Sequence, residues 1–186
     1  MPRPSGSYRT ERLLLRHFTT DDLDAFMAMH SDPDVVRYVP YPPMTREQAL
    51  DRLAQVSRMT AIDDEAQNLR FAVVLPETGE LIGDMSIWSE PHDRQQAEIG
   101  FVLNPRFHGR GYASEAAAEL LRIGFEEAGL HRITANCDAR NTASARVMER
   151  IGMRQEAHFR QNWYAKGEWT DELLFAILAD EWRARR

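Results

Sequence analysis

A chain of 186 residues is long enough for one domain with a sizeable core and short for two. Its 43% hydrophobic and 28% charged residues are an ordinary globular balance, and a net charge of −6 speaks against a whole-surface nucleic-acid footprint while leaving room for a local anion site. The longest apolar runs, such as "LLFAIL" (Leu173–Leu178), are too short to span a bilayer, "MPRPSGSYRTER" lacks the apolar core of a secretory signal, and one cysteine, Cys137, fits a reducing cytoplasm.

In chain order, "ERLLLRHF" (Glu11–Phe18) is a short apolar run flanked by charge and predicts a strand. "TTDDLDAFMAMH" predicts a helix capped by Thr19 or Thr20, with Leu23, Phe26 and Met27 on one face. Asp32–Pro43 carries four prolines and predicts irregular backbone. "TREQALDRLAQVSRM" has Thr45 and Gln48 at capping-box spacing and an apolar face of Ala49, Leu50, Leu53 and Val56. The period then changes: "RFAVVL" and "LIGDMSIWS", joined by "PETGE", predict a hairpin, and "AEIGFVL" (Ala97–Leu103) a third strand. A helix starting near Ser114 has Ala117, Leu120, Leu121, Gly124 and Ala128 on one face and Gly129 as its stop. "HRITANCD" predicts a strand with Ile133, Ala135 and Cys137 on its core side, and "NTASARVMERIG" a helix from an Asn141 cap to Gly152. "RQEAHFRQNWY", "AKGEW" and "DELLFAIL" predict a closing hairpin, and the basic tail, residues 179–186 with "DEWRARR", predicts fraying. The expectation is a single α/β (α+β) domain over residues 1–186, core about 9–178, on a mixed sheet, with Ala97 to Asp138 forming a parallel crossover.

The local anion site has a candidate in "NPRFHGRGYASEAAAELL", a strand end, a glycine turn and a helix start. A helix N-terminus offers unpaired N–H groups and partial positive charge, and glycines let a phosphate approach the backbone. No G-x-x-x-x-G-K-[ST] run exists, and Ser114 stands where a dinucleotide fingerprint needs its third glycine. A plain strand-to-helix turn is the alternative.

"HGRGYASEA" resembles the pyrophosphate loop of the GCN5-related N-acetyltransferases, Gln/Arg-x-x-Gly-x-Gly/Ala, met at Gly111 and Ala113, with His108 at the first position instead of Gln or Arg. "TERLLLRHFTTDD", "DPDVVRYVP", "AEIGFVLNP" and "NTASARVMERIGM" look like the ribosomal-protein-alanine (RimJ/RimL-like) branch, so the resemblance runs from about Arg9 to Leu178. It implies a splayed parallel strand pair with flanking helices and a cleft for acetyl-CoA. Backbone at Phe101, Val102 and Leu103 would meet the pantetheine and the thioester carbonyl. His108, Gly109, Arg110, Gly111, Tyr112, Ala113 and Ser114 would hold the pyrophosphate. Asn141 would bind the pantetheine arm and Ser144 would lie near the sulfur.

The implied reaction is direct acetyl transfer to a primary amine, either a protein or peptide N-terminus or a small amine. Met148 stands where many relatives have a tyrosine acid, and Ser144 matches the serine of the ribosomal-protein branch, though a serine there is also an ordinary first-turn residue. Glu98 and His158 are the candidate bases, with positioning alone as the third reading. Trp88, Trp163 and Tyr164, with Trp169, are candidates for an aromatic wall over the acceptor, packing being the plainer reading. His30 and Asp32 could line the acceptor cleft, and the six histidines show no metal-ligand spacing, so no metal is expected. Two alternatives stay open: transfer to a small molecule such as an amino acid or antibiotic, and a non-catalytic acyl-CoA-binding or sensing module. Neither a nucleic acid nor a membrane is an expected partner, and monomer and homodimer are both compatible with the sequence.

Overall fold

The middle of the chain holds a run that is apolar on both faces. In "FAVV", Phe71 and Val73 enter one core while Ala72 and Val74 enter another, the pattern of a strand covered by helices on both sides. In the computed structural model, which describes residues 6–62, 67–89 and 95–185, this run lies inside a nine-stranded sheet. The strands are β1 (Tyr8–Arg9), β2 (Leu14–Arg16), β3 (Thr60–Ile62), β4 (Gln67–Val74), β5 (Leu81–Trp88), β6 (Gln96–Leu103), β7 (Arg132–Asp138), β8 (Arg154–Ala165) and β9 (Glu168–Leu178). Their order is β1-β2-β4-β5-β6-β7-β9-β8, with β3 paired to β4 off that path.

The helices are α1 (Leu23–His30), α2 (Arg46–Val56), α3 (Tyr112–Arg122), α4 (Thr142–Arg150) and α5 (Ala179–Ala184). Phe26, Met29, Ala49, Leu53 and Val56 of α1 and α2 share a core with Ala72 and Val74. Ala116, Ala117, Leu120, Leu121 and Met148 of α3 and α4 share the core of Phe71 and Val73. The sheet is therefore sandwiched between two helical layers.

Several expectations need correction. The first strand is only Leu14–Arg16, because Thr10 N–H donates to the Leu13 carbonyl and folds Tyr8–Arg9 back as β1. Helix α1 buries Phe26, Met29 and His30, while Leu23 and Met27 are only half-buried. In α2, Ala49, Leu53 and Val56 are buried at i, i+4, i+7, and Leu50, one residue off that stripe, is 51% exposed. Strand β3 was not expected. Helix α3 begins at Tyr112, two residues early, because Gly111 (φ 82) caps it, and it runs into a π-helical turn, Ile123–Glu127. Cys137 is half-buried, while Ile133 and Ala135 are buried. The tail is not frayed: α5 is held by Trp182 stacked 6.0 Å from Phe125 and by Glu181, which accepts from Leu178 N–H. Residues 90–94, with His92, lie outside the described residues.

Strand pairing positions the site. All neighbours are antiparallel except β6 and β7. Their parallel pairing covers Gln96↔Arg132, Ala97↔Ile133 and Glu98↔Thr134. Beyond Glu98, β6 stays with β5 as far as Gly83↔Leu103, and β7 stays with β9 as far as Asp138↔Glu172. The two strands thus part at Glu98.

Candidate active site

Two cavities of about 410 and 430 Å³ flank the parting of the strands and share Tyr38, Val39, Pro40, Trp88, Glu98 and Asn136 in their walls. The proline-rich segment after α1 supplies the first three of these. Its position is fixed by Lys166, whose ammonium donates to the Val36 and Arg37 carbonyls. Lys166 (φ 51) and Gly167 (φ 86) form the two-residue turn of the β8–β9 hairpin, both in the left-handed conformation that a tight hairpin needs. The Trp88 ring lies across β6 at Gly100, where a Cβ would come within 3.1 Å of it.

Glu98 stands where the strands separate. Burial pushes its carboxyl up, the nearby Glu172 carboxylate adds to this, and it reaches about 7. Its contact is a long one from Asn136 Nδ2 to Oε2 at 3.4 Å. A carboxyl that titrates near neutrality in a cavity wall is suited to accept a proton. Cys137, in the wall of the first cavity, is pushed the other way for a nucleophile: burial, then Asp138 and Glu172, raise its thiol to about 11.

The glycine turn follows β6. Gly109 (φ 76) and Gly111 (φ 82) take the left-handed conformation, and Glu115 N–H makes the first helical bond, to the Gly111 carbonyl. The turn is braced from below by Arg12, which sequence reasoning missed. Arg12 Nη1 donates to the Arg110 carbonyl at 2.9 Å, Arg12 Nε to Glu115 Oε2 at 2.7 Å, and its guanidinium lies 4.8 Å from the Tyr112 ring centroid. Thr10 Oγ1 adds a 2.5 Å bond to Glu115 Oε1. Glu115 is thereby neutralised, which leaves the helix N-terminus favourable to an anion. His108 is exposed, and its Nε2 donates to the Leu103 carbonyl at 2.9 Å. That bond occupies part of the Leu103 backbone expected to face pantetheine; Val102 faces its partner Asp84 on β5, so Phe101, which lines the second cavity, is the freer part of that edge. Arg110 is exposed and stacks 5.7 Å from Phe107.

Asn141 caps α4, accepting from Ser144 N–H at 3.1 Å, and so places Ser144 in the first turn after the separated end of β7. Met148 is fully buried between α4 and the sheet. His158 sits on β8 with Nε2 2.8 Å from Asp171 Oδ2. It lines neither cavity, whereas Trp163 lines the first. Tyr164 is exposed and packs on Trp169 at 5.3 Å, away from both cavities.

A second group missed by the sequence reading lies beneath the second cavity. Asp84, on β5, accepts from Arg70 Nε at 2.7 Å, Arg70 Nη2 at 2.5 Å and His30 Nε2 at 3.1 Å. Burial alone would raise Asp84, but the charge of Arg70 and the bonds from His30 and Arg70 outweigh it and hold the carboxyl at about 2. An ionised Asp84 only accepts, so His30 donates from Nε2, and its Nδ1 lies 2.9 Å from Tyr41 OH. The available signal was a lone aspartate inside the apolar run "LIGDMSIW".

Known proteins place this arrangement in a class. The family model of the Acetyltransferase (GNAT) domain matches residues 12–154, from the arginine beneath the glycine turn to the start of β8. The chain belongs to the GNAT family and is an acetyl-CoA-dependent N-acetyltransferase. It is 40% identical to the uncharacterized N-acetyltransferase YnaD of Bacillus subtilis over 173 residues, 93% of this chain and 97% of YnaD. A GNAT-family acetyltransferase structure from Bacillus anthracis superposes with a TM-score of 0.83 at 38% identity, covering 94% of this chain and 99% of that one. A Vibrio cholerae spermidine N-acetyltransferase, solved with CoA and spermine, has a TM-score of 0.80 at 19% identity over 94% and 99% of the chains, a likeness of fold alone. GNAT acetyltransferases use acetyl-CoA, and residues here fit it. Ser114 Oγ, in the first turn of α3, is buried without a hydrogen-bond partner, and a pyrophosphate oxygen beside the turn would supply one.

Proposed function

We propose that this chain transfers the acetyl group of acetyl-CoA directly to a primary amine bound beside Glu98, and that it belongs to the RimJ/RimL-like branch. The observation that carries the reading is Glu98 itself, a carboxyl raised to about 7 where β6 and β7 part and both cavities meet its side chain. Gly109 to Ser114 hold the pyrophosphate with backbone amides and Ser114 Oγ, and the free edge of β6 at Phe101 offers its amide to the thioester oxygen. Glu98 takes a proton from the amine, freeing its lone pair to form the C–N bond as the C–S bond breaks. The second proton lost from nitrogen passes through the Ser144 hydroxyl to the leaving sulfur, so the serine ends as a hydroxyl again. Trp88 and Trp163 form the aromatic part of the acceptor wall. His158 lines neither cavity and is engaged by Asp171 at the rim of the first, so this scheme gives it no part.

The test is release of CoA thiol from acetyl-CoA over a panel of amines, with wild type and Glu98→Gln. Turnover on some amine that falls about 100-fold in Glu98→Gln supports the reading, in line with the contribution of a positioned base. CoA binding without turnover on any amine would favour a sensing module instead.

A further inference from the structure

Resting on the transferase reading above, we propose that the second cavity contains an anion subsite built on Arg52, and that the acceptor is an amine carrying a carboxylate, a free amino acid being the simplest case.

Arg52, on α2, lines the same 430 Å³ cavity as Glu98. That volume suits a small molecule, not a folded partner. The hydrogen bond of the Arg52 guanidinium goes to a neutral group, Gln55 Oε1 at 3.1 Å, and among the described residues it has no carboxylate within ion-pair distance. Arg70, in the same wall, is fully committed to Asp84. Asp84 takes its hydrogen bonds from Arg70 and His30, and its single charge, though felt by Arg52, is already matched by Arg70. That end of the cavity therefore carries one positive charge in excess, held on a half-buried side chain.

An uncompensated, partly desolvated guanidinium is costly unless an anion meets it. Burial, then the like charge of Arg70, pushes Arg52 below its ordinary range, so the empty cavity penalises its charged form. A ligand carboxylate removes that penalty, and the planar fork of arginine matches it in two parallel bonds. Glu98 lines the same cavity. An ammonium at Glu98 and a carboxylate at Arg52 give the charge pattern of a free α-amino acid. Met59 and Val102, half-buried in the same wall, offer apolar contact to its side chain. A polyamine lying in this cavity is disfavoured, because its second cation would approach Arg52 and Arg70. A peptide N-terminus is also disfavoured, because its α-carboxyl is an amide.

The test compares matched acceptors: phenylalanine, leucine and methionine, each against its carboxamide and its decarboxylated amine, with wild type, Arg52→Gln and Arg52→Lys. The expected result is a kcat/KM at least tenfold higher for the free acid of one set. That ratio should collapse toward one in Arg52→Gln and recover in part in Arg52→Lys, while the Kd for CoA stays unchanged in all three proteins. Equal or better use of the amides by wild type, or an unchanged ratio in Arg52→Gln, would overturn the subsite. If no amine is acetylated, the transferase reading fails separately. Calorimetry with N-acetylphenylalanine, N-acetylleucine and N-acetylmethionine then decides the subsite: binding to wild type that weakens at least tenfold in Arg52→Gln supports it, and absence of binding to wild type overturns it.

Discussion

Glu98 and Asp84 are two cavity-side carboxylates whose environments drive them in opposite directions. Glu98 is raised to about 7 by burial and by Glu172, and activity that needs its ionised form rises with pH through that value. Glu172→Gln removes the like charge, so the acidic limb of kcat/KM should move to lower pH, read from a pH–rate profile. Burial remains, so the limb should stay above the ordinary carboxylate range. Asp84 is held at about 2 against an ordinary 3.8. Its folded pKa is depressed, so its stabilisation is fully present above about pH 4 and lost as pH falls toward 2, roughly 2 kcal/mol in all. Asp84→Asn leaves Arg70 buried without its partner and should cost about 3–5 kcal/mol in denaturant unfolding at pH 7, with the deficit shrinking below pH 4. Neither environment was legible locally. His30 is 54 residues from Asp84, and the charge of Glu172 reaches Glu98 only through the β7–β9 pairing. The type and strand of Glu98 were legible, because "AEIGFVL" reads as a strand with one carboxylate among apolar residues.

At the scale of elements, the glycine turn works as part of a three-piece assembly: the β1–β2 hairpin, the turn and the first turn of α3. Arg12 joins them through Arg110 and Glu115. Arg12→Ala should raise the KM for acetyl-CoA by about 3- to 10-fold with little change in kcat, the effect of losing one charge-assisted brace. Steady-state kinetics with varied acetyl-CoA would show it. An unchanged KM would mean the glycines and Gly111 cap hold the turn unaided. The turn and both flanking elements were legible because glycine, cap and apolar spacing are local signals. The brace spans 103 residues from Arg12 to Glu115 and carries no local signal. The same contrast explains α2, where the capping box at Thr45 and Gln48 was readable. The outward turn of Leu50 depended on which stripe met the sheet.

At the scale of the whole molecule, the single parallel pair creates the site, because β6 and β7 are each retained by their other neighbour after they separate. The crossover through α3 was predictable from the order strand, helix, strand. The placing of β9 between β7 and β8 was not, since antiparallel partners far apart in sequence leave no periodic trace. The tail closes the opposite end. Trp182 stacks on Phe125 and donates from Nε1 to Glu126 Oε1 at 3.1 Å. Trp182→Ala should lower stability by about 1–3 kcal/mol in thermal or denaturant unfolding, while the kinetic constants of the folded enzyme stay as they are. No described helix is long and apolar enough to cross a membrane.

The most direct test of the account is the pH dependence of kcat/KM for acetyl transfer, measured from pH 5 to 9 at saturating acetyl-CoA for wild type and Glu98→Gln. The expected result is a wild-type rate that climbs through an apparent pKa of about 7, and a variant that is about 100-fold slower with that limb gone. A variant with wild-type rates and the same limb would contradict it.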